Sequence, residues 1–158
     1  MEVVHPLKMG QSLVQNYIHI VFSTKYREAL IQPPYEQELH AYLGGTCNEL
    51  ECPVLIVGGY TDHIHILCML SKKIALMTLV QKIKANSSKW IKTKDVSLKN
   101  FFWQDGYGAF SVNPSEVDVV INYIKNQHEH HSKKDFKEEY RTILKKYNVS
   151  YDEQYVWD

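Results

Sequence analysis

The first part of the chain alternates apolar and polar positions and then changes to a helical spacing. Residues 13–24 carry Ile18, Ile20 and Phe22 on one side of the alternation, which predicts a first β-strand. The next segment, "PPYEQELHAYLGGTCNEL", begins with proline and has apolar residues three and four apart, so it predicts a helix. The glycine pair Gly44–Gly45 is expected to kink or interrupt that helix.

The rest of the chain continues with short strands and amphipathic helices. The segment "CPVLIVGGYTDHIHILCML" predicts a hairpin, "IALMTLVQKIKANSSKWI" predicts a helix with a basic polar face, and "FFWQDGYGAFSV" predicts a strand interrupted by glycines. Asn113 and Pro114 fit the cap and first turn of a helix over about residues 114–129. A last helix is predicted over about residues 134–147.

This order of elements predicts the fold class. Strand, helix, strand, strand, helix, strand is the ferredoxin-like split βαβ arrangement, an α+β fold with helices on one face of an antiparallel sheet. Two extra C-terminal helices follow it here. The other face of the sheet is expected to be free for a partner or ligand. With 158 residues, the chain is most simply a single domain over 1–158.

Composition and the N-terminal segment bear on location. The chain is 44% apolar and 23% charged, and none of its apolar runs approaches the roughly 20 residues that span a bilayer. Residues 1–13 lack the pattern of a signal peptide, so we expect a cytoplasmic protein. The three cysteines fit neither a disulfide framework nor a C-x2-C zinc site and are expected to be reduced core residues.

Charge is balanced overall but uneven along the chain. The net charge of zero argues against indiscriminate nucleic-acid binding, yet residues 72–99 contain eight lysines and one acidic residue. Local charge of one sign attracts a polyanion within about a Debye length, ~8–10 Å in physiological salt. Lys82, Lys84 and Lys89 on the basic helix are therefore candidate DNA contacts, unless they form an ordinary solvated helix face.

Two histidines stand out in the hairpin. His63 and His65 are separated by one residue, so in a strand they point to the same face. They could be hydrogen-bonded histidines at a strand end, or two neutral nitrogen ligands held side by side on a rigid support. A metal site would need a third ligand from elsewhere in the chain.

Further polar and aromatic residues are candidates for the same site. Tyr123 and Gln127 lie four residues apart on the predicted helix over 114–129, and therefore on one face. Taken alone, this pair is typical of a helix surface. The tract "HEHH" at 128–131 either binds metal or complements the dipole of a helix end. Three aromatic residues either stack on bases or belong to the core: Trp90, Phe102 and Trp103.

At this point the chain resembles a known family, the single-tyrosine HUH transposases of bacterial insertion sequences. Five blocks carry the resemblance in order: "HIVFSTKYR", "DHIHIL", "IKANSSKW", "WQDGYGAFSV" and "YIKNQ". The resemblance implies that His63 and His65 are metal ligands, that Tyr123 is the nucleophile and that Gln127 completes the metal site. Lys25 and Arg27, in the first block, are implied DNA contacts.

These implied roles agree with simple chemistry. A phenol with a pKa near 10 is a poor nucleophile at neutral pH without assistance. A divalent ion held by neutral ligands keeps its full charge to stabilise a phosphate that is under attack. We expect Mg²⁺ or Mn²⁺, with Mn²⁺ binding tighter because it tolerates imidazole better. Attack by Tyr123 would leave a 5′-phosphotyrosine and a free 3′-hydroxyl.

The resemblance also implies partners. These are single-stranded DNA hairpins at the ends of a mobile element and a second copy of the chain, in a homodimer whose active sites are completed in trans by Tyr123. One alternative is a rolling-circle replication initiator or relaxase, which shares the HUH site. Another is a non-catalytic nucleic-acid-binding module on a ferredoxin-like sheet, which would have no use for Tyr123 and Gln127 at helical spacing.

Overall fold

A four-stranded antiparallel sheet forms the centre of the protein. The computed structural model describes residues 10–158, so most of the N-terminal segment used to predict the absence of a signal peptide lies outside the described residues. The strand order is β2-β3-β1-β4, which confirms the ferredoxin-like arrangement. The strands are β1 (Tyr17–Ser23), β2 (Val54–Tyr60), β3 (His63–Met69) and β4 (Gly108–Ser111).

Within residues 10–158, five α-helices pack around this sheet: α1 (Pro33–Glu49), α2 (Leu76–Ile91), α3 (Val117–Lys125), α4 (Gln127–His130) and α5 (Phe136–Lys146). The helix predicted over 114–129 begins as a 3-10 turn and continues as two α-helices. The two α-helices are separate because the backbone leaves the helical conformation at Asn126. In contrast, α1 continues through Gly44 and Gly45 without the expected interruption. Across residues 10–158 we find no helix both long and apolar enough to cross a membrane.

Both faces of the sheet are covered, so the expectation of one free face is wrong. Ile20 and Ile66 lie on the face packed against α1 and α2, where the main core is buried. On the opposite face, Leu67 packs against α3, and Val21 packs against α5. The cause is the amphipathic character of the C-terminal helices, whose apolar sides are buried on this second face. The three cysteines are buried free thiols, as predicted.

Gly58 allows α3 to approach the sheet closely. A Cβ atom at this position would lie only 2.6 Å from the carbonyl oxygen of Ile124, which is too close for any side chain. Glycine is therefore required where α3 crosses β2. Because Ile124 follows Tyr123 directly, this contact also fixes the position of Tyr123 over its own sheet.

Candidate functional site

His63 and His65 lie on the sheet face covered by α3, α4 and α5. Both side chains are fully buried, and their ring centroids are 5.1 Å apart. His63 is the first residue of β3 and pairs with Ser23, whereas His65 pairs with Val21 in the interior of the sheet. The strand therefore holds the two imidazoles side by side, as the sequence predicted.

Each nitrogen of the His63 ring has an oxygen beside it. Its Nδ1 atom is 2.7 Å from Oδ1 of Asp62, and its Nε2 atom is 2.8 Å from Oε1 of Gln127. A carboxylate at Nδ1 accepts a hydrogen bond from Nδ1–H, so the ring keeps its proton there and leaves the Nε2 lone pair for a cation. This is the orientation that a metal-binding histidine needs.

His65 is oriented by a buried histidine that the sequence analysis did not single out. The Nδ1 atom of His65 lies 2.8 Å from Nε2 of His19 on the neighbouring strand β1. Burial, together with the nearby His65, lowers the pKa of His19 to about 3, so His19 stays neutral. A neutral His19 can accept a hydrogen bond from Nδ1–H of His65. The Nε2 lone pair of His65 is then free to bind a cation.

Glu139 completes the group and was also missed. It lies in α5, is 2% exposed, and its Oε1 atom is 3.1 Å from Nε2 of His65 and 3.4 Å from Nε2 of His63. Burial alone would raise the pKa of this carboxyl, but its electrostatic and hydrogen-bond contacts with His65 and His131 hold that pKa well below its usual range. A signal was present in the sequence: Glu139 is three residues after Phe136 and four before Ile143, on the apolar side of its helix.

Tyr123 points its hydroxyl at this carboxylate. The phenol donates a hydrogen bond to Oε2 of Glu139, and the ring centroid lies 5.7 Å from that of His65. Burial, followed by the negative charge of Glu139, raises the pKa of Tyr123 well above its ordinary value. Without a bound cation the tyrosine is therefore a protonated hydrogen-bond donor at neutral pH.

The donor set fits a divalent cation. One ligand atom from each of His63, His65 and Glu139 lies within 4.8 Å of the others, and all three residues are buried. Gln127, the predicted third ligand, is 1% exposed, with its Oε1 atom beside His63 and its Nε2 atom donating to Glu139 at 3.0 Å. Two imidazoles with a carboxylate and an amide oxygen are typical ligands for Mn²⁺ and related ions.

An open cavity leads to this group. It has a volume of about 210 Å³, and its lining includes Tyr123, Glu139 and two lysines, Lys134 and Lys146. The lysines place positive charge on the wall of the cavity that Tyr123 lines. These two cations would attract an anionic substrate to the cavity.

The histidine tract joins the site through His130 and His131, and Nε2 of His130 lies 3.8 Å from Oε2 of Glu139. Nε2 of His131 lies 3.1 Å from Oε1 of Glu139, and that carboxylate outweighs burial to raise the pKa of His131. His128 instead contacts Glu36 of α1 at 2.5 Å. Among the described residues, the group of possible metal donors consists of His63, His65 and Glu139 and contains no histidine of this tract.

The candidate DNA-binding residues divide into two kinds. Lys82 and Lys89 are exposed on α2. In contrast, Nζ of Lys84 donates to the carbonyls of residues 104–106 at 2.6 to 3.1 Å, and burial lowers its pKa to about 8. Lys25 and Arg27 lie in the turn after β1, where Arg27 donates to the carbonyl of Trp157 at 2.8 Å. Lys84 and Arg27 thus donate hydrogen bonds to the protein's own main chain. DNA contacts stay a prediction for all five residues: Lys25, Arg27, Lys82, Lys84 and Lys89.

Comparison with known families now identifies the relationship. The chain matches the family described as "Transposase IS200 like" over residues 12–127. The chain belongs to the IS200-like transposase family. The matched region of this transposase contains the HIH pair, Tyr123 and Gln127, and it ends before Glu139. Among curated proteins, none matches the chain.

Two solved structures share the transposase fold. A candidate transposase from Deinococcus radiodurans has 18% identity and a TM-score of 0.60, and the alignment covers 77% of this chain and 98% of that one. A REP-associated tyrosine transposase bound to a REP hairpin has 13% identity and a TM-score of 0.58, with 78% of this chain and 73% of that chain covered. At these identities, the likeness establishes the fold alone.

Proposed function

We propose that this member of the IS200-like family is a metal-dependent single-strand DNA transposase that cleaves and rejoins insertion-sequence ends through Tyr123. The observation that carries the proposal is the contact between the Tyr123 hydroxyl and Glu139, a residue of the buried metal-donor group. The nucleophile Tyr123 and the carboxylate that accepts its hydrogen bond thus line one cavity, next to the two histidines.

The residues account for the chemistry as follows. The Tyr123 oxygen attacks the phosphorus of a phosphodiester while Oε2 of Glu139 accepts the hydrogen bond from its O–H, and the phenol proton ends on the departing 3′-oxygen. The bond from phosphorus to the 3′-oxygen breaks, which leaves a 5′-phosphotyrosine and a 3′-hydroxyl. The new ester retains the energy of the phosphodiester, so a second 3′-hydroxyl can displace Tyr123 and join two strands without ATP.

A divalent cation, Mg²⁺ or Mn²⁺, would be held by His63, His65 and Glu139, with Gln127 beside them. When bound, it would supply positive charge that stabilises the phosphate during attack. The residues around the ligands keep them in place: Asp62 orients His63, and His19 orients His65.

The proposed substrate is a single-stranded DNA hairpin at the end of a mobile element. The REP-associated transposase that shares this fold is bound to a REP hairpin, and this supports a hairpin ligand here. We further propose a cytoplasmic homodimer. In the single chain Tyr123 contacts its own Glu139, so a partner subunit is not needed to assemble these groups; completion of the site in trans stays a prediction.

Covalent capture tests the function. Wild-type protein mixed with hairpin DNA and Mn²⁺ should form an adduct stable to denaturation, whereas Tyr123→Phe should bind the DNA and form none. Tyr147→Phe is the matched control, because Tyr147 lines the same cavity and is expected to leave the adduct unchanged. His63→Ala should abolish the adduct in either metal. An adduct formed by Tyr123→Phe would refute the proposal.

A further inference from the structure

Tyr26 and Phe102 are large aromatic side chains exposed at one place on the surface. Their exposed fractions are 70% and 55%. Both line a single open cleft, together with Lys25, Glu28 and Asn100. The main chain holds the two segments together, since the amide of Lys25 donates to the carbonyl of Phe102 at 2.8 Å. Aromatic rings normally gain free energy from burial, so two exposed rings at one cleft indicate a binding surface.

Each of these rings has a lysine ammonium beside it. Nζ of Lys25 lies 5.8 Å from the ring centroid of Tyr26, and Nζ of Lys92 lies 4.8 Å from that of Phe102. The two aromatic rings thus lie beside positive charge, at a cleft that also includes the carboxylate of Glu28. Proteins hold single-stranded nucleic acids by this combination, because bases stack on the rings while cations neutralise the phosphates.

The turn that presents Tyr26 has an unfavourable backbone conformation. The φ angles of Tyr26 and Arg27 are 59° and 53°, in the left-handed region that favours glycine. Such conformations persist where surrounding contacts enforce them. Here the Arg27 side chain donates to the Trp157 carbonyl at 2.8 Å, and the Thr24 hydroxyl donates to the Glu28 carbonyl at 2.7 Å. The exposed ring is therefore carried by a turn that is fixed at both ends.

The turn also lies beyond the end of the sheet where the candidate active site begins. Ser23, the last residue of β1, pairs with His63, and the amide of Thr24 donates to the carbonyl of Asp62 at 2.8 Å. The turn that carries Tyr26 therefore adjoins the end of β3 that carries His63.

We propose that Tyr26 and Phe102 form a stacking site for an unpaired base of the single-stranded DNA that flanks the cleaved phosphate. Lys25 and Lys92 neutralise the phosphates on either side of that base. This inference rests on the proposed function, because it takes the same DNA as ligand. Stacking accepts any base, so the site holds the strand without reading its sequence.

The test measures binding and stacking separately. The probe is an end-labelled single-stranded oligothymidylate with one 2-aminopurine, whose fluorescence is quenched when it stacks on an aromatic ring. The double variant Tyr26→Ala/Phe102→Ala should bind about tenfold more weakly and lose the quenching. Its salt dependence should be unchanged because the lysines remain. The variant Tyr26→Phe/Phe102→Tyr keeps both aromatic rings and should retain the affinity and the quenching. Tyr155→Ala is the control for loss of a surface aromatic residue, because Tyr155 is 61% exposed.

Three outcomes decide between the alternatives. Normal affinity and quenching in Tyr26→Ala/Phe102→Ala would overturn the stacking site. Normal DNA binding combined with loss of a dimer in sedimentation would assign the surface to a second copy of the chain, which also overturns it. Wild-type protein that binds and quenches the probe but never forms a covalent adduct with hairpin DNA would refute the proposed nuclease and still support the stacking site.

Discussion

Replacing Glu139 with glutamine is expected to weaken metal binding strongly while the protein remains folded. The substitution keeps the size of a side chain that is 2% exposed, removes its charge and replaces one acceptor oxygen by an amide NH₂. The carboxylate oxygen is 3.1 Å from Nε2 of His65 and 3.4 Å from Nε2 of His63, the two atoms oriented to bind a cation. An uncharged amide is a poorer ligand for a divalent ion than a carboxylate.

The cost to stability follows from the hydrogen bonds of Glu139. Tyr123, Gln127 and His131 all donate to the carboxylate. A hydrogen bond to a charged group contributes ~1.5–3 kcal/mol, against ~0.5–1.5 kcal/mol for a neutral pair, so the loss is about 1 kcal/mol for each bond. We therefore expect Glu139→Gln to lower the free energy of unfolding by ~3 kcal/mol at pH 7 in EDTA.

The pH dependence gives a check on that cost. The pKa of Glu139 is lower in the folded protein than its ordinary value of 4.5, because the neighbouring histidines outweigh burial. The carboxylate therefore stabilises the fold above about pH 4.5, and this stabilisation is lost as the pH falls below that value. The difference between wild type and Glu139→Gln should accordingly shrink in acid.

Calorimetric titration with Mn²⁺ measures the metal effect. Loss of a residue that only orients a ligand typically costs 10–100-fold in affinity, so loss of a direct ligand should cost roughly 100-fold or more. At a fixed Mn²⁺ concentration, a 100-fold weaker site loses about 2.7 kcal/mol of metal-induced stabilisation, visible as a smaller rise in Tm. Glu138→Gln, an exposed neighbour on the same helix, is the matched control. Equal Mn²⁺ affinity in Glu139→Gln and wild type would refute the assignment of Glu139 as a ligand.

Three further predictions concern the lysines and the dimer. Lys84→Ala should lower the free energy of unfolding by ~2 kcal/mol, because three main-chain carbonyls lose their donor. Lys82→Ala/Lys89→Ala should leave Tm unchanged and flatten the salt dependence of DNA binding; an unchanged slope would assign them to a solvated helix face. Mixing His63→Ala with Tyr123→Phe should restore cleavage, with the adduct on the His63→Ala chain, if active sites are completed in trans. Mixed dimers without cleavage would mean that each tyrosine serves its own subunit.

The sheet and its two histidines could be predicted because their signals are local. Alternation of apolar residues fixes which side chains share a face, and this placed His63 and His65 together without any knowledge of the tertiary structure. Tyr123 and Gln127 were paired by helical spacing, although the helix breaks between them at Asn126. They still meet, because both side chains contact Glu139.

Glu139 and His19 could not be placed from the sequence because their roles depend on tertiary contacts. His19 is 46 residues from His65, and Glu139 is 74 residues from it. Local patterns placed His19 only within the predicted first strand and Glu139 only within the predicted last helix. The same limit explains the covered second face, since the sequence predicts an apolar side for α5 but not the surface against which that side packs.

Glu139 lies in α5 and so connects this helix to the candidate site. The match to the family ends at residue 127, and α5 begins at Phe136, so this helix is outside the region that defines the relationship. Its apolar side nevertheless packs on Val21 of β1, next to the strand that carries the histidines. That packing buries a carboxylate between the tyrosine and the two imidazoles. Any movement of α5 would therefore change the metal-donor group and the hydrogen bond of the Tyr123 hydroxyl together, which makes α5 part of the proposed active site.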